Sequence, residues 1–295
     1  MEIRISPNGI IQNIKPIRQG DEVIIPEAVN GIKVTGLNDC LFRYKKSLFS
    51  VRIKAPIHSI PAQCFRGSGC HTVYLPKTIS RIEQHAFRNS QLKNVYGDIE
   101  LEYIGASAFE HCALENVYIK KAQEIEPSAF YNARFQQKPE FLESEGLEHI
   151  GRCAFMRADV PFALSFPKSL KRIERSAFAY STVNKVWCKG NTILNTNVFS
   201  YSLISEFAAK IKKIPDYTFI ECRQLHEFSC DYNGLEQIGK NAFYNCTQLK
   251  KIFSVKKCKK IGDFAFTNTK CKIILDEKKV EYIGKTSSNE EIVFE

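Results

Sequence analysis

No uncharged apolar run in the 295 residues approaches 18, which excludes a membrane-spanning helix. The first twenty residues, MEIRISPNGIIQNIKPIRQG, lack the apolar core of roughly 7–15 residues that a Sec-type leader needs, and they read as strand and turn material. Fifteen Gly and 11 Pro are too few for a collagen-like or linker chain, and 44% hydrophobic with 25% charged residues is the balance of a folded protein. The 11 Cys are an odd number with no CxxC pair and no zinc-finger spacing to His. They read as reduced thiols and point to a cytoplasmic setting, with a disulfide-stapled exported protein as the minor alternative. Export by a route without a cleavable signal stays compatible with this reading.

Catalytic signatures are missing as well. H-E-x-x-H, the phosphate-binding loop, the dinucleotide fingerprint and the serine nucleophile elbow do not occur. The six His (58, 71, 85, 111, 149 and 226) fall at unrelated places, the carboxylates form no calcium loop, and no polarising partner for a catalytic Cys can be inferred. No catalytic residue, metal site or cofactor is therefore expected.

What is present is a repeat. An Ile/Leu-x4-Phe motif recurs as LNDCLF, IPAQCF, IEQHAF, IGASAF, IEPSAF, IGRCAF, IERSAF, LNTNVF, IPDYTF, IGKNAF and IGDFAF. Its Phe residues are 42, 65, 87, 109, 130, 155, 178, 199, 219, 243 and 266, about 22 apart. Three residues after Phe comes a small residue or Cys, as at Ser68, Ser90, Cys112, Ala133, Ala158, Ser181, Ser202, Cys222, Cys246 and Thr269, with Lys45 the exception. An apolar pair spaced by three follows, as in Leu92/Val95, Leu114/Val117, Val183/Val186, Ile204/Phe207 and Leu225/Phe228. One unit cannot bury its own apolar face, so the units must stack, Phe on Phe, each adding a strand to a parallel sheet. The expected fold is a mainly β leucine-rich repeat solenoid of about 11 repeats of about 22 residues, with little helix.

These residues closely resemble the BspA-like (Treponema pallidum-type) leucine-rich repeats. YLPKTISRIEQHAFRNS (74–90), SFPKSLKRIERSAFAYS (165–181) and LEQIGKNAFYNCTQLKKI (235–252) follow the family pattern, and EVIIPEAVNGIKVTGLNDCLF (22–42) resembles its usual first repeat. The resemblance spans roughly residues 3–285. It implies a curved array with a parallel concave sheet, ligand or protein binding rather than catalysis, and a setting of adhesion or host contact. We read residues 1–25 as an N-terminal cap hairpin, 26–284 as the repeats and 285–295 as a C-terminal cap, one continuous domain and a monomer.

In such a strand the residue after the second apolar position points outward on the concave face. That column reads Arg52, Tyr74, Tyr96, Tyr118, then Leu164, Trp187, Ala208, Ser229 and Phe253, while the segment 131–148 is too irregular to place. Coils about 4.8 Å apart would stack the three tyrosines into an exposed ladder, and Tyr and Trp are frequent interface anchors. The expected protein-binding surface comprises Tyr74, Tyr96, Tyr118, Trp187 and Phe253 with Lys93, Asn94, Lys185 and Glu227. The plainer alternative is that β-propensity alone puts aromatics on a strand surface.

The net charge of +10 is uneven: residues 1–150 carry 18 basic and 17 acidic side chains, and residues 151–295 carry 24 and 15. Lys250, Lys251, Lys256, Lys257, Lys259 and Lys260 fall in one stretch with Asp263 as the only nearby acid. This basic patch is the basis of a second reading, in which the C-terminal coils hold nucleic acid or an anionic membrane by charge. The bland reading is a solvated lysine-rich surface.

Overall fold

The computed structural model describes residues 1–230, 234–250, 252–255, 257–285 and 291–294. Two compact units, residues 1–147 and 148–295, divide the chain. Each is a parallel β-solenoid, and the only helical element among the described residues is a single 3-10 turn, Glu140–Leu142.

The first unit opens with an antiparallel hairpin of Glu2–Ile5 and Ile10–Lys15. Its parallel sheet runs through Asp21–Ile25, Leu48–Ile53, Thr72–Tyr74, Asn94–Ile104 and Asn116–Ile125. The irregular segment after Asn132 forms the short strand Arg134–Phe135, paired with Ala113–Leu114, and then the 3-10 turn that buries Phe141 and Leu142. In the second unit the corresponding sheet contains Ala163–Phe166, Lys185–Cys188, Glu206–Ala209 and Glu227–Cys230, and a further sheet contains Ile252–Ser254, Lys272–Leu275 and Glu291–Phe294.

Most coils also hold a second strand that the sequence pattern did not separate; in Asn94–Ile104 and Asn116–Ile125 one long strand runs on to the motif Ile. The separate second strand is two residues long and ends on the Ile or Leu of the motif, as in Arg81–Ile82, Arg172–Ile173 and Gln237–Ile238. Two residues are too few to show alternation, so periodicity could not reveal it. Where the next residue is Gly, a neighbouring coil demands it: a Cβ on Gly105 would lie 2.6 Å from the Gln84 amide nitrogen.

The phenylalanines stack as the repeat requires. In the first unit the rings of Phe42, Phe65, Phe87, Phe109 and Phe130 follow one another at centroid separations of 5.0, 4.9, 5.3 and 5.1 Å. In the second, Phe155, Phe178, Phe199, Phe219, Phe243 and Phe266 follow at 5.0, 5.7, 5.5, 5.4 and 5.3 Å. All eleven are fully buried, and each removes from water an area worth roughly 1.5–3 kcal/mol.

The turn that presents each Phe is unusual. The residues two before and two after it are left-handed at every motif, for example His85 (φ 57°) and Asn89 (φ 55°) around Phe87, and Ser176 and Tyr180 (both φ 59°) around Phe178. Glycine fills only one of these places, Gly67. Non-glycine residues resist this conformation, and the bonds between coils hold them in it. The amides of His85, Phe87 and Asn89 donate to the carbonyls of Ala106, Ala108 and Glu110 at 2.9, 2.8 and 2.9 Å, and the same triplet recurs along each unit.

The small column after Phe is polar for a reason beyond size. Ser181 and Thr269 donate their hydroxyls to the carbonyl of their own motif Phe, both at 2.7 Å. The thiols of Cys112, Cys222 and Cys246 donate instead to the Phe carbonyl of the preceding coil, at 3.2, 2.9 and 3.1 Å. Burial pushes the thiols of Cys112 and Cys222 up to about 12 and raises those of Cys64 and Cys246 as well.

Two tests follow from this packing. Phe109→Ala should lower stability by about 3–5 kcal/mol in equilibrium denaturation, because the neighbouring rings cannot close the cavity; the exposed Lys77→Ala should stay within about 0.5 kcal/mol. Equal effects of the two would refute the ring column as a main stabiliser. In thiol labelling near neutral pH, Cys64, Cys112, Cys222 and Cys246 should stay unmodified while the protein is folded and react on denaturation; rapid native labelling of Cys112 would contradict the buried column.

Candidate partner-binding surface

Strand register determines which outward side chains meet. In the first unit Ile24, Arg52, Tyr74 and Tyr96 are successive partners across the parallel sheet. Tyr118 lies one residue beyond the last regular partner, Val117 of Val95. Tyr74 stacks on Tyr96 at 5.2 Å and 21°, and Tyr96 on Tyr118 at 5.5 Å and 23°. The Arg52 guanidinium covers the outer face of the stack, 3.7 Å from the Tyr74 centroid, and is held by Glu22 at 3.4 Å. Both faces of Tyr96 are therefore occupied, and a partner would meet its edge and hydroxyl. Tyr118 is 53% exposed and has no ring or cation on its second face among the described residues.

Beside the rings runs a polar ladder that residue types alone did not reveal. Asn94 donates from Nδ2 to Thr72 Oγ1 at 3.2 Å, Asn116 to Asn94 Oδ1 at 2.7 Å, and Gln137 to Asn116 Oδ1 at 3.1 Å. One column further, Lys93 pairs with Glu115 at 2.8 Å. Lys93 and Asn94 are thus fixed by their neighbours, which lowers the entropy cost of binding against them.

In the second unit Trp187 is 37% exposed. Its partners across the sheet are Ser165 and Ala208, with Ser229 beyond. This corrects the column: Leu164 pairs with Val186 and is fully buried, so the outward residue of that coil is Ser165. The strand Ala163–Phe166 starts one residue later relative to its small residue than its neighbours do, and the spacing rule slipped by one, which exchanges the two faces. The small side chains at 165, 208 and 229 leave the indole standing above its surroundings. Lys185 pairs with Glu206, and Glu227, the next residue in that column, is exposed.

Of the basic stretch, Lys250, Lys257, Lys259 and Lys260 are exposed. Lys259 pairs with Glu281 at 3.3 Å, and Lys260 lies 5.5 Å from the Tyr282 centroid. Lys251, Lys256 and the Phe253 side chain lie outside the described residues. A second exposed stack was not anticipated: Tyr180 and Tyr201, both left-handed, lie 4.7 Å apart at 5°, with Arg157 at 5.6 Å from Tyr180. Its signal was in the sequence, since both tyrosines stand two residues after the motif Phe. No helix among the described residues is long and apolar enough to cross a membrane.

Among solved structures, the chain is similar to a leucine-rich repeat protein from Bacteroides ovatus, 16% identical, with a TM-score of 0.56 over 100% of this chain and 98% of that one. It is similar also to the pneumococcal vaccine antigen PcpA, 18% identical, with a TM-score of 0.56 over 100% of this chain and 88% of that one. Identities this low speak for the fold alone. No curated protein sequence matches the chain. The sequence profile described as BspA type leucine-rich repeat region, in six copies, matches residues 21–137, 123–210 and 192–290. With that span and the stacked Phe motifs, the chain belongs to the BspA-type leucine-rich repeat family.

Proposed function

We propose that this chain is a non-enzymatic repeat protein that captures a protein partner on the tyrosine-bearing face of its parallel sheet. The observation that carries the reading is the stack of Tyr74, Tyr96 and Tyr118, closed at one end by Arg52 and open at Tyr118. An aromatic centre flanked by ordered amides and ion pairs has the composition of an interface, with anchors amid hydrogen-bonding neighbours. β-Propensity would account for tyrosines on a strand, but it gives no reason for a bound cation at one end and an amide ladder alongside. Trp187, raised above small neighbours in the second unit, offers a separate anchor.

The family resemblance supports recognition rather than chemistry, and the surface supports it too. The buried thiols are held far from the range in which they act as nucleophiles. The reading is tested by affinity capture from lysate with nuclease present, comparing wild type with Tyr96→Ala/Tyr118→Ala and, separately, with Trp187→Ala. Circular dichroism first checks that each is folded. Loss of a specific protein with the tyrosine variant, at a cost of more than about 2 kcal/mol for hot-spot residues, is the expected result. Undiminished capture by a folded tyrosine variant would sink the reading. Material lost only with nuclease would move recognition to the lysine-rich coils around Lys250, Lys257, Lys259 and Lys260.

A further inference from the structure

The two-residue strands of the second unit form a ladder with one interruption. Arg172–Ile173 pairs with Ile193–Leu194, and Lys213–Ile214 pairs with Gln237–Ile238, but among the described residues nothing joins Ile193–Leu194 to Lys213–Ile214. The cause is Pro215. At the equivalent position Asn195 donates its amide to Ile173 O, Gly239 to Ile214 O and Gly262 to Ile238 O, at 3.0, 2.8 and 2.8 Å. Proline has no N–H to give, so the carbonyl of Leu194 receives no such bond. The interruption extends upstream to Lys212, three residues before Pro215. Glu236 N–H donates to Lys212 O at 2.8 Å, whereas Lys212 N–H has no corresponding bond to the coil before it among the described residues. Pro61 marks the same event in the first unit, where Gly36–Leu37 and Ser59–Ile60 are likewise not paired with each other among the described residues.

Between the parted strands lies a cleft of about 380 Å³. Ile193, Leu194 and Ile211 give it an apolar surface, and Ile193 is left 64% exposed. Lys210, Lys212 and Lys213 line it, and among the described residues no carboxylate does. None of these three lysines has an ion-pair partner among the described residues, unlike Lys171, Lys185 and Lys259 on the same unit. Three unpaired ammonium groups and an unpaired main-chain N–H beside an apolar wall match a ligand with an anionic head and a hydrocarbon body. The volume is at the small end of ligand sites, which suits one chain and not a two-chain lipid.

We propose that this cleft binds a free single-chain fatty carboxylate, its head on Lys210, Lys212 and Lys213 and its chain against Ile193, Leu194 and Ile211. The site is independent of the tyrosine face. The test is titration calorimetry of the full chain with dodecanoate below its micelle concentration, beside dodecyltrimethylammonium and acetate. Dodecanoate should bind at one site, and the other two should not. Lys210→Gln/Lys212→Gln/Lys213→Gln and, separately, Ile193→Asp, each shown folded by circular dichroism, should bind at least about tenfold more weakly, as loss of charged hydrogen bonds or of the apolar wall implies. Lys257→Gln/Lys259→Gln, outside the cleft lining, should bind as wild type does. The proposal is overturned by no binding of dodecanoate, by equal binding of the cationic amphiphile or of acetate, by an unchanged triple variant, or by an equal loss in the Lys257/Lys259 variant.

Discussion

Main-chain hydrogen bonds between adjacent coils impose one spacing, roughly 4.8 Å, on every residue that recurs in register. Inside, that spacing suits flat rings, so the phenylalanines stack at 4.9–5.7 Å within each unit. Outside, the same spacing brings like residues together whether or not stability needs them. It stacks Tyr74, Tyr96 and Tyr118, threads the amides of Asn94, Asn116 and Gln137, and pairs Lys93 with Glu115. The interior and the surface therefore obey one rule, and only the interior is obliged to.

The obligation is visible in the turns. Holding a residue such as His111 or Arg157 left-handed (φ 62° and 60°) costs on the order of 1 kcal/mol or more. The coil tolerates it because the conformation aims three amides per turn at the next coil's carbonyls. A single coil has no partner for those amides. The turn, the ring it carries and the small polar residue after it are stable only in company, which is the physical basis for an array rather than an isolated motif.

Sequence reasoning reached the features tied to this spacing and missed those that are not. The ring column, the small column and the outward tyrosines were readable because each is a residue type at a fixed interval. The left-handed turns were not, because Gly67 and six Asn, which tolerate this conformation, are scattered among positions that also hold Cys, Gln, His, Ser, Tyr, Glu, Arg and Phe. At those other residues the conformation is imposed by neighbours. The two-residue strands and the amide ladder were hidden for the same reason, being relations between coils. Leu164 shows how narrow the margin is: a one-residue slip in counting turned a fully buried leucine into a surface residue in place of Ser165. The basic stretch was legible as charge, yet the pairing of Lys259 with Glu281 was not.

Breaks in the rule are as informative as its fulfilment. Proline at the residue after the motif Ile removes one ladder donor, and the solenoid absorbs this because the Phe turns on either side stay bonded: Phe199 N–H still donates to Thr218 O at 3.0 Å, across the same pair of coils that part at Leu194 and Ile214. The ring stack of Phe199 on Phe219 at 5.5 Å is likewise unbroken. A coil can thus open along one edge without losing its core. The break in pairing recurs at Pro61 and Pro215 but not at the coils carrying Gly239 or Gly262, and at Pro215 it lies beside the outward, exposed Ile193. Proline at this one repeat position thus interrupts the ladder of two-residue strands, while the stacked Phe turns of the same coils are left intact.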